Sequence, residues 1–505
     1  MSIRRPILPQ TPLQWAVLLL LLGCSLLPII VAPIPGLSDL PNHIARHYVF
    51  FHIGEGSPLD HYYEVHWRWI GNLGVDLPVL GLMHFMDVQS ATRIIVAFIA
   101  PLTIISLLAL SRSAHGRVSA SAMLAMPLVF HHAYMYGFIN YCLSVALAFL
   151  VLALYLARPP ESWRGWLLYA LLAIGVWTAH MGGWSILAVA AGCAELIRIR
   201  SMRGLTQAAA RLTALATPII PMLLWRGEAV GGKLFGWTDQ NIIWAKALNF
   251  ILVLKGWSKI PDLMITGTIG LLALLALFWA SRRRIDDRLF AAAFGICLMT
   301  TLIPTSVMGS WGADFRLAPA GIILFLLSIA PAADPKRERL IFVAGLTLFV
   351  VRTVGIAASW HRDGLVLEQR LRIVEDVPYG SRMGFLAVQS RCDYPWVLNP
   401  ERKLPALALV RRDLYINTLF KVDGADLMTI RQPRDRVRWF DLSEDVDAVC
   451  PEGGVDQFAL GRRIADMAQD DFGRIWIWGA KVGDIALPRG YRVIRSNGDD
   501  ILIGR

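Results

Sequence analysis

Leu13-Gln-Trp-Ala-Val-Leu-Leu-Leu-Leu-Leu-Gly-Cys-Ser-Leu-Leu-Pro-Ile-Ile-Val-Ala-Pro33 runs directly into Ile34-Pro-Gly-Leu-Ser-Asp-Leu-Pro-Asn-His43. The first stretch carries no charge and has the roughly 20 apolar residues that a helix needs to cross a hydrocarbon core. Arg4 and Arg5 precede it as in a secretory signal. The run is longer than a usual signal core, however, lacks a small-x-small cleavage site and ends in Pro-Ile-Pro-Gly, so it reads as a retained first span.

Further apolar runs follow at 92–110, 119–131, 140–157, 165–179, 181–197, 208–225, 263–280, 289–305, 318–333 and 340–358. With the first at 13–33 they predict a multi-span α-helical membrane protein of about 11 transmembrane helices. The runs at 119–131 and 165–179 are short for a full crossing, which leaves a re-entrant pair open. Composition agrees: the chain is 55% hydrophobic and 17% charged, with a mean hydropathy of +0.51.

The net charge of +11 does not point to nucleic acid. Basic clusters at 4–5, 112–117, 158–164, 198–203, 282–288 and 336–339 each fall where an alternating walk returns to one side, and excess Lys and Arg mark the cytoplasmic side. The N-terminus is therefore expected in the cytoplasm of a bacterial inner membrane protein. Four segments lie on the other side: 35–91, 131–140, 226–262 and 305–317.

Two domains are expected: a transmembrane domain over 1–359, containing the first outside loop 35–91, and a C-terminal extracytoplasmic α/β domain over 360–505. In the latter, strand-like Arg474-Ile-Trp-Ile-Trp478 and Tyr491-Arg-Val-Ile-Arg495 alternate with a helical stretch at 461–468. Four of the six cysteines, Cys24, Cys142, Cys193 and Cys297, belong to apolar runs or their edges. Cys392 and Cys450 lie in the exported region, where an oxidising compartment permits a Cys392–Cys450 disulfide.

In the first outside loop, Leu40-Pro-Asn-His-Ile-Ala-Arg-His-Tyr-Val-Phe-Phe51 places Ile44, Tyr48 and Phe51 on one helical face and Arg46 and His47 on others, the pattern of an interfacial amphipathic helix. The stretch at 74–86 suggests a second. Asp39 stands at the start of the first helix near the outer membrane surface, with Asn42 and His43 close by. A carboxylate there suits deprotonation of an acceptor or binding of a divalent cation; equally, Asp before Leu-Pro is a favoured helix cap.

Other candidates divide in the same way. His43 and His47, four apart, have the spacing of two metal ligands or of a phosphate contact, or form a polar face. Arg46, His131, His132, Tyr136, Asn140 and Tyr141 can meet a phosphate or sugar, although tyrosines also populate aromatic belts. His180 lies in a tight turn facing Asp39's side. Asp314 and Arg316 suit a donor's phosphate and sugar or pair with each other. Arg352, inside an apolar run, needs an anion, a partner or a route to water.

A first span, Asp39 within Ser38-Asp-Leu-Pro-Asn-His-Ile-Ala-Arg46 and an outside helix together resemble the GT-C superfamily of polyprenyl-phosphate-sugar-dependent glycosyltransferases. The chain is similar to the bacterial protein mannosyltransferase and lipid A aminoarabinose transferase branches; the Trp-Trp-Asp-Tyr-Gly motif of oligosaccharyltransferases does not occur. The resemblance implies a polyprenyl-phosphate-linked sugar donor, contact with membrane lipid, and Asp39 as the essential acid. Where GT-C enzymes often pair two acids, Leu40-Pro41 follows Asp39, so either one acid suffices or a partner comes from elsewhere, with Asp60, Glu64 and Asp76 as candidates. A transporter or flippase of an anionic or lipid-linked substrate and a polysaccharide polymerase or ligase are the alternatives. A phosphate-binding Gly-x-x-x-x-Gly-Lys-Ser/Thr loop, His-Glu-x-x-His and zinc-spaced cysteines do not occur.

Overall fold

The first apolar run forms α1 (Pro12–Val31), started by the Thr11 hydroxyl, which accepts the Gln14 N–H, and by a proline in the first turn. Pro33 and Pro35 prevent its continuation. The computed structural model describes residues 11–224, 235–237, 241–280, 284–307, 310–389, 395–420, 426–432, 435, 438–439, 443–449 and 454–505. Cys392 and Cys450, and with them the expected disulfide, lie outside the described residues.

The outside loop contributes α2 (Leu40–His52), β1 (Tyr63–Val65) and α3 (Asp76–Met83). Then come α4 (Val88–His115), α5 (Ser121–Ala125), α6 (His132–Met135), α7 (Ile139–Ala157), α8 (Trp163–Ala179), α9 (Met181–Leu196), α10 (Met202–Leu215) and α11 (Ile219–Leu224). After β2 (Phe235–Gly236) follow α12 (Ile242–Ile251), α13 (Lys259–Trp279), α14 (Asp287–Leu302), β3 (Ser306–Val307), β4 (Ser310–Trp311), α15 (Ala313–Ser328) and α16 (Pro335–Leu371). Helices α1, α4, α7, α13 and α16 are long and apolar enough to cross a membrane. α14 packs on α15 and α9, α7 on α4 and α9, and α16 on α1 and α5.

Two expected spans take other forms. Within 119–131 there is α5 and a 3-10 turn at Met126–Phe130, every residue buried among neighbouring helices. α16 comes so close there that a Cβ on Gly345 would lie 2.6 Å from the Met123 carbonyl carbon. The 208–225 run is cut into α10 and α11 around Pro218, which has no N–H to offer the helix ladder.

The C-terminal region builds one sheet from β5 (Arg382–Gln389), β6 (Tyr415–Ile416), β8 (Asp445–Val449), β9 (Gly454–Val455), β10 (Arg474–Trp478), β11 (Arg492–Asn497) and β12 (Asp500–Gly504), with α17 (Ala406–Arg412) and α18 (Gln457–Gln469). Strand order is β11-β12-β10-β5-β8-β9, with β6 beside β5. β10, β5 and β8 run parallel, and β12 runs antiparallel to β10 and β11, so this is an α/β unit.

This unit is joined to the first outside loop. β7 (Met428–Ile430) pairs antiparallel with β1, Tyr63 opposite Ile430. The Tyr48 and Tyr379 hydroxyls both donate to Asp413, at 2.8 and 2.6 Å, and Asn42 Nδ2 donates to the Thr418 carbonyl at 3.1 Å. In consequence α2 is not an interfacial helix with a solvated polar face: Arg46 is 4% and His47 0% exposed, because the C-terminal unit and the outside turns cover the side where they stand.

Candidate active site

Asp39 occupies the cap position of α2, yet its side chain makes no capping hydrogen bond. Its backbone is fixed instead by the second outside turn: Ser38 N donates to the Met135 carbonyl at 3.1 Å and Asp39 N to that of Tyr136 at 2.9 Å. Gly137 makes this approach feasible. Its φ is +88°, and a Cβ there would lie 2.9 Å from Asp39 N.

Beside this junction stands an aromatic group from two segments. Tyr136 stacks on Phe138 with centroids 5.4 Å apart, and Phe315 and the exposed Trp311 close the cluster at 5.5 and 5.8 Å from Tyr136. The Arg316 guanidinium lies over the Phe138 ring, 3.8 Å from its centroid, and donates to the Trp311 carbonyl at 2.7 Å. Its buried Nε has no hydrogen-bond partner among the described residues. Asp39 is half-buried and interacts electrostatically with Tyr136, Arg46 and Arg316. Burial and the Asp39 charge push the Tyr136 phenol up to about 12.

A second group lies beneath α2. Asp76 binds Arg46 at 2.7 Å, His47 at 3.2 Å and Asn140 Nδ2 at 2.7 Å, and Asp426, reaching in from the C-terminal unit, lies 3.7 Å from Arg46. Burial opposes the Asp76 charge, but Arg46, His47 and Asn140 outweigh it and hold the carboxyl below the usual carboxylate range. Burial also raises Asp426, an effect that Arg46 only partly offsets. Burial and then Arg46 hold His43 well below its ordinary value, so it is neutral. Its Nδ1 therefore accepts from Arg46 at 3.2 Å, and its Nε2–H donates to the Gly137 carbonyl at 3.1 Å. The chain Asp76–Arg46–His43–Gly137 ends on the glycine that abuts Asp39.

The sequence matches no known protein family and no curated protein. Solved structures do match. ArnT from Cupriavidus metallidurans in the apo state superposes with a TM-score of 0.53 at 13% identity, over 97% of each chain. The same protein bound to undecaprenyl phosphate does so with 0.53 at 10% identity, over 98% of each. The fold is that of ArnT. The likeness is one of fold and extends over at least 97% of the chain.

On this ArnT fold the other candidates lie apart from Asp39 or have prior commitments. Asp314 does not pair with Arg316 but with Lys246, at 2.6 Å, and accepts from Asn249 at 3.1 Å. Arg352 is fully buried, donating to the Phe130 and Leu254 carbonyls at 2.9 and 2.7 Å with Asp262 at 3.2 Å. Nδ1 of His131 accepts the Tyr134 N–H, and that of His180 accepts the Gly182 N–H and so caps α9. His132 Nδ1 lies 3.2 Å from the Val253 carbonyl. Asp60 accepts the Gly54 and Gly56 N–H groups, and Glu64 lies by His66.

Sequence reading missed Phe138, Trp311, Phe315, Lys246, Asp262 and Asp426. A signal existed for Asp262, an acid at the head of an apolar run that must find a cation. None existed for Asp426, whose partner Arg46 lies 380 positions earlier in the chain. Among the described residues no three His, Cys, Asp or Glu side chains gather to hold a metal. Among the described residues, the charged groups that act on Asp39 include the Arg46 and Arg316 guanidinium groups.

Proposed function

We propose that this chain is a membrane glycosyltransferase that moves a sugar from a polyprenyl-phosphate donor to an acceptor hydroxyl. The observation that carries the reading is Asp39: a half-buried carboxylate at the head of its helix that makes no capping hydrogen bond among the described residues, locked by its backbone, and in electrostatic range of an arginine whose Nε has no hydrogen-bond partner among those residues. Support at the level of fold comes from ArnT, one structure of which binds undecaprenyl phosphate.

In the reaction the acceptor oxygen attacks the anomeric carbon. The new C–O bond forms as the bond from that carbon to the phosphate oxygen breaks, polyprenyl phosphate departs with the electron pair, and the acceptor proton passes to Asp39. Arg316 meets the growing phosphate charge, where a preorganised donor in a water-poor site is most effective. The exposed Trp311 offers a face for the sugar or the first isoprenyl units. Arg46 acts through His43 on the position of Asp39, and Arg352, held by Asp262, organises the bundle. The basic clusters support a topology with the Asp39 side and the C-terminal unit outside an inner membrane and the N-terminus in the cytoplasm.

The test is transfer by the purified protein from a panel of radiolabelled polyprenyl-phosphate sugars to acceptors in a membrane extract. Labelled product with one donor supports the class; no product from any donor overturns it.

A further inference from the structure

At the far end of the bundle from Asp39, the connection between α4 and α5 (117–120), the connection between α15 and α16 (332–333) and the first turns of α16 line an open recess of about 350 Å³. α16 fixes its position: Gly36, three residues before Asp39, lies against Trp360, whereas Arg339 on the cavity wall is 21 positions earlier in the same helix. At 1.5 Å per residue that is roughly 30 Å, the thickness of a hydrocarbon core.

The wall is chemically two-faced. Arg117 and Arg339 are exposed on it, and neither has a side-chain acid as partner among the described residues. The one carboxylate present, Glu338, is committed to the backbone, accepting the Ala120 N–H at 2.9 Å and the Ala332 N–H at 2.7 Å. It is thus held on the wall by backbone N–H groups, beside the side chains of Arg117 and Arg339. Val118 and Phe342 supply an apolar side, continued along the outside of α16 by Leu340 and Val343, 56% and 52% exposed. A cationic recess opening onto bare apolar helix surface matches a molecule that is anionic at one end and hydrocarbon at the other.

We infer that this cavity holds the headgroup phosphate of an anionic phospholipid in the leaflet opposite Asp39, with an acyl chain along α16. Arg117 and Arg339 bind the phosphate as charge-assisted donors. The site is separate from the sugar-transfer site and does not depend on it.

The test uses the full-length protein in detergent, titrated with phosphatidylglycerol, phosphatidylcholine or inorganic phosphate and read by native mass spectrometry and thermal melting. Phosphatidylglycerol should be retained and should raise the melting temperature. Arg117→Gln/Arg339→Gln should cut retention at least fivefold while melting as wild type does without lipid. Lys336→Gln, a nearby cation outside the cavity wall, should change nothing. Equal retention of phosphatidylcholine, equal protection by inorganic phosphate, an unaffected double variant, or an equal loss in Lys336→Gln would each overturn the assignment.

Discussion

Gly137 and His43 hold Asp39 in place without being reacting groups themselves. In Gly137→Ala a left-handed residue acquires a side chain at a strain of about 1–2 kcal/mol, and its Cβ presses on Asp39 N. The expected outcome is a fall in kcat of tenfold or more with a modest loss of melting temperature. His43→Ala should likewise lower kcat more than it raises KM, whereas a purely structural histidine would affect melting alone. The carboxylates around Arg46 behave differently. Asp76→Asn breaks a buried pair and should destabilise by about 3–5 kcal/mol, and Asp426→Asn by clearly less. The pH signs are opposite. Asp76 lies below its unfolded value of about 3.9, so its contribution is present above that pH and is lost as pH falls toward the folded value. Asp426 lies above it, so the folded state keeps that proton longer and stability declines as pH rises through the window. The melting temperature of Asp426→Asn relative to wild type should therefore rise between pH 4 and 7; a falling difference would refute the assignment.

Among the elements, apolar length and prolines made most of the helices legible. α1, α4, α7, α8, α9 and α13 to α16 fall on expected runs because about 20 lipid-compatible residues read alike wherever they pack. The 119–131 run misled because it is equally apolar for another reason: it is buried by protein on all sides. The amphipathic reading of α2 failed in the same manner, since periodicity reports which faces differ and not what covers the polar one. Gly345 belongs to this scale. Gly345→Leu should separate α16 from α5 and lower the melting temperature sharply, while the same change at Gly81, with open space around its Cβ position, should have little effect; equal effects would refute the close packing.

For the whole molecule, Asp39 stood out in the sequence as a candidate because a lone acid directly after a first span differs from its surroundings. What surrounds it was not legible there, because the site joins residues from 39, 136–138 and 311–316 and is steadied by Asp426. The β1–β7 pairing and the Tyr48–Asp413–Tyr379 bridge unite the first loop and the C-terminal unit in a single structure. Asp413→Asn should accordingly speed hydrogen exchange in 63–65 and 428–430 together, whereas exchange rising in one strand alone would contradict a shared ladder. Whether Asp39 takes the acceptor's proton is decided by comparing sugar transfer by wild type and Asp39→Asn, matched for melting temperature and for donor retained. Asp39→Asn should bind the polyprenyl-phosphate sugar as wild type does and transfer none of it; transfer at the wild-type rate would rule out Asp39 as the base.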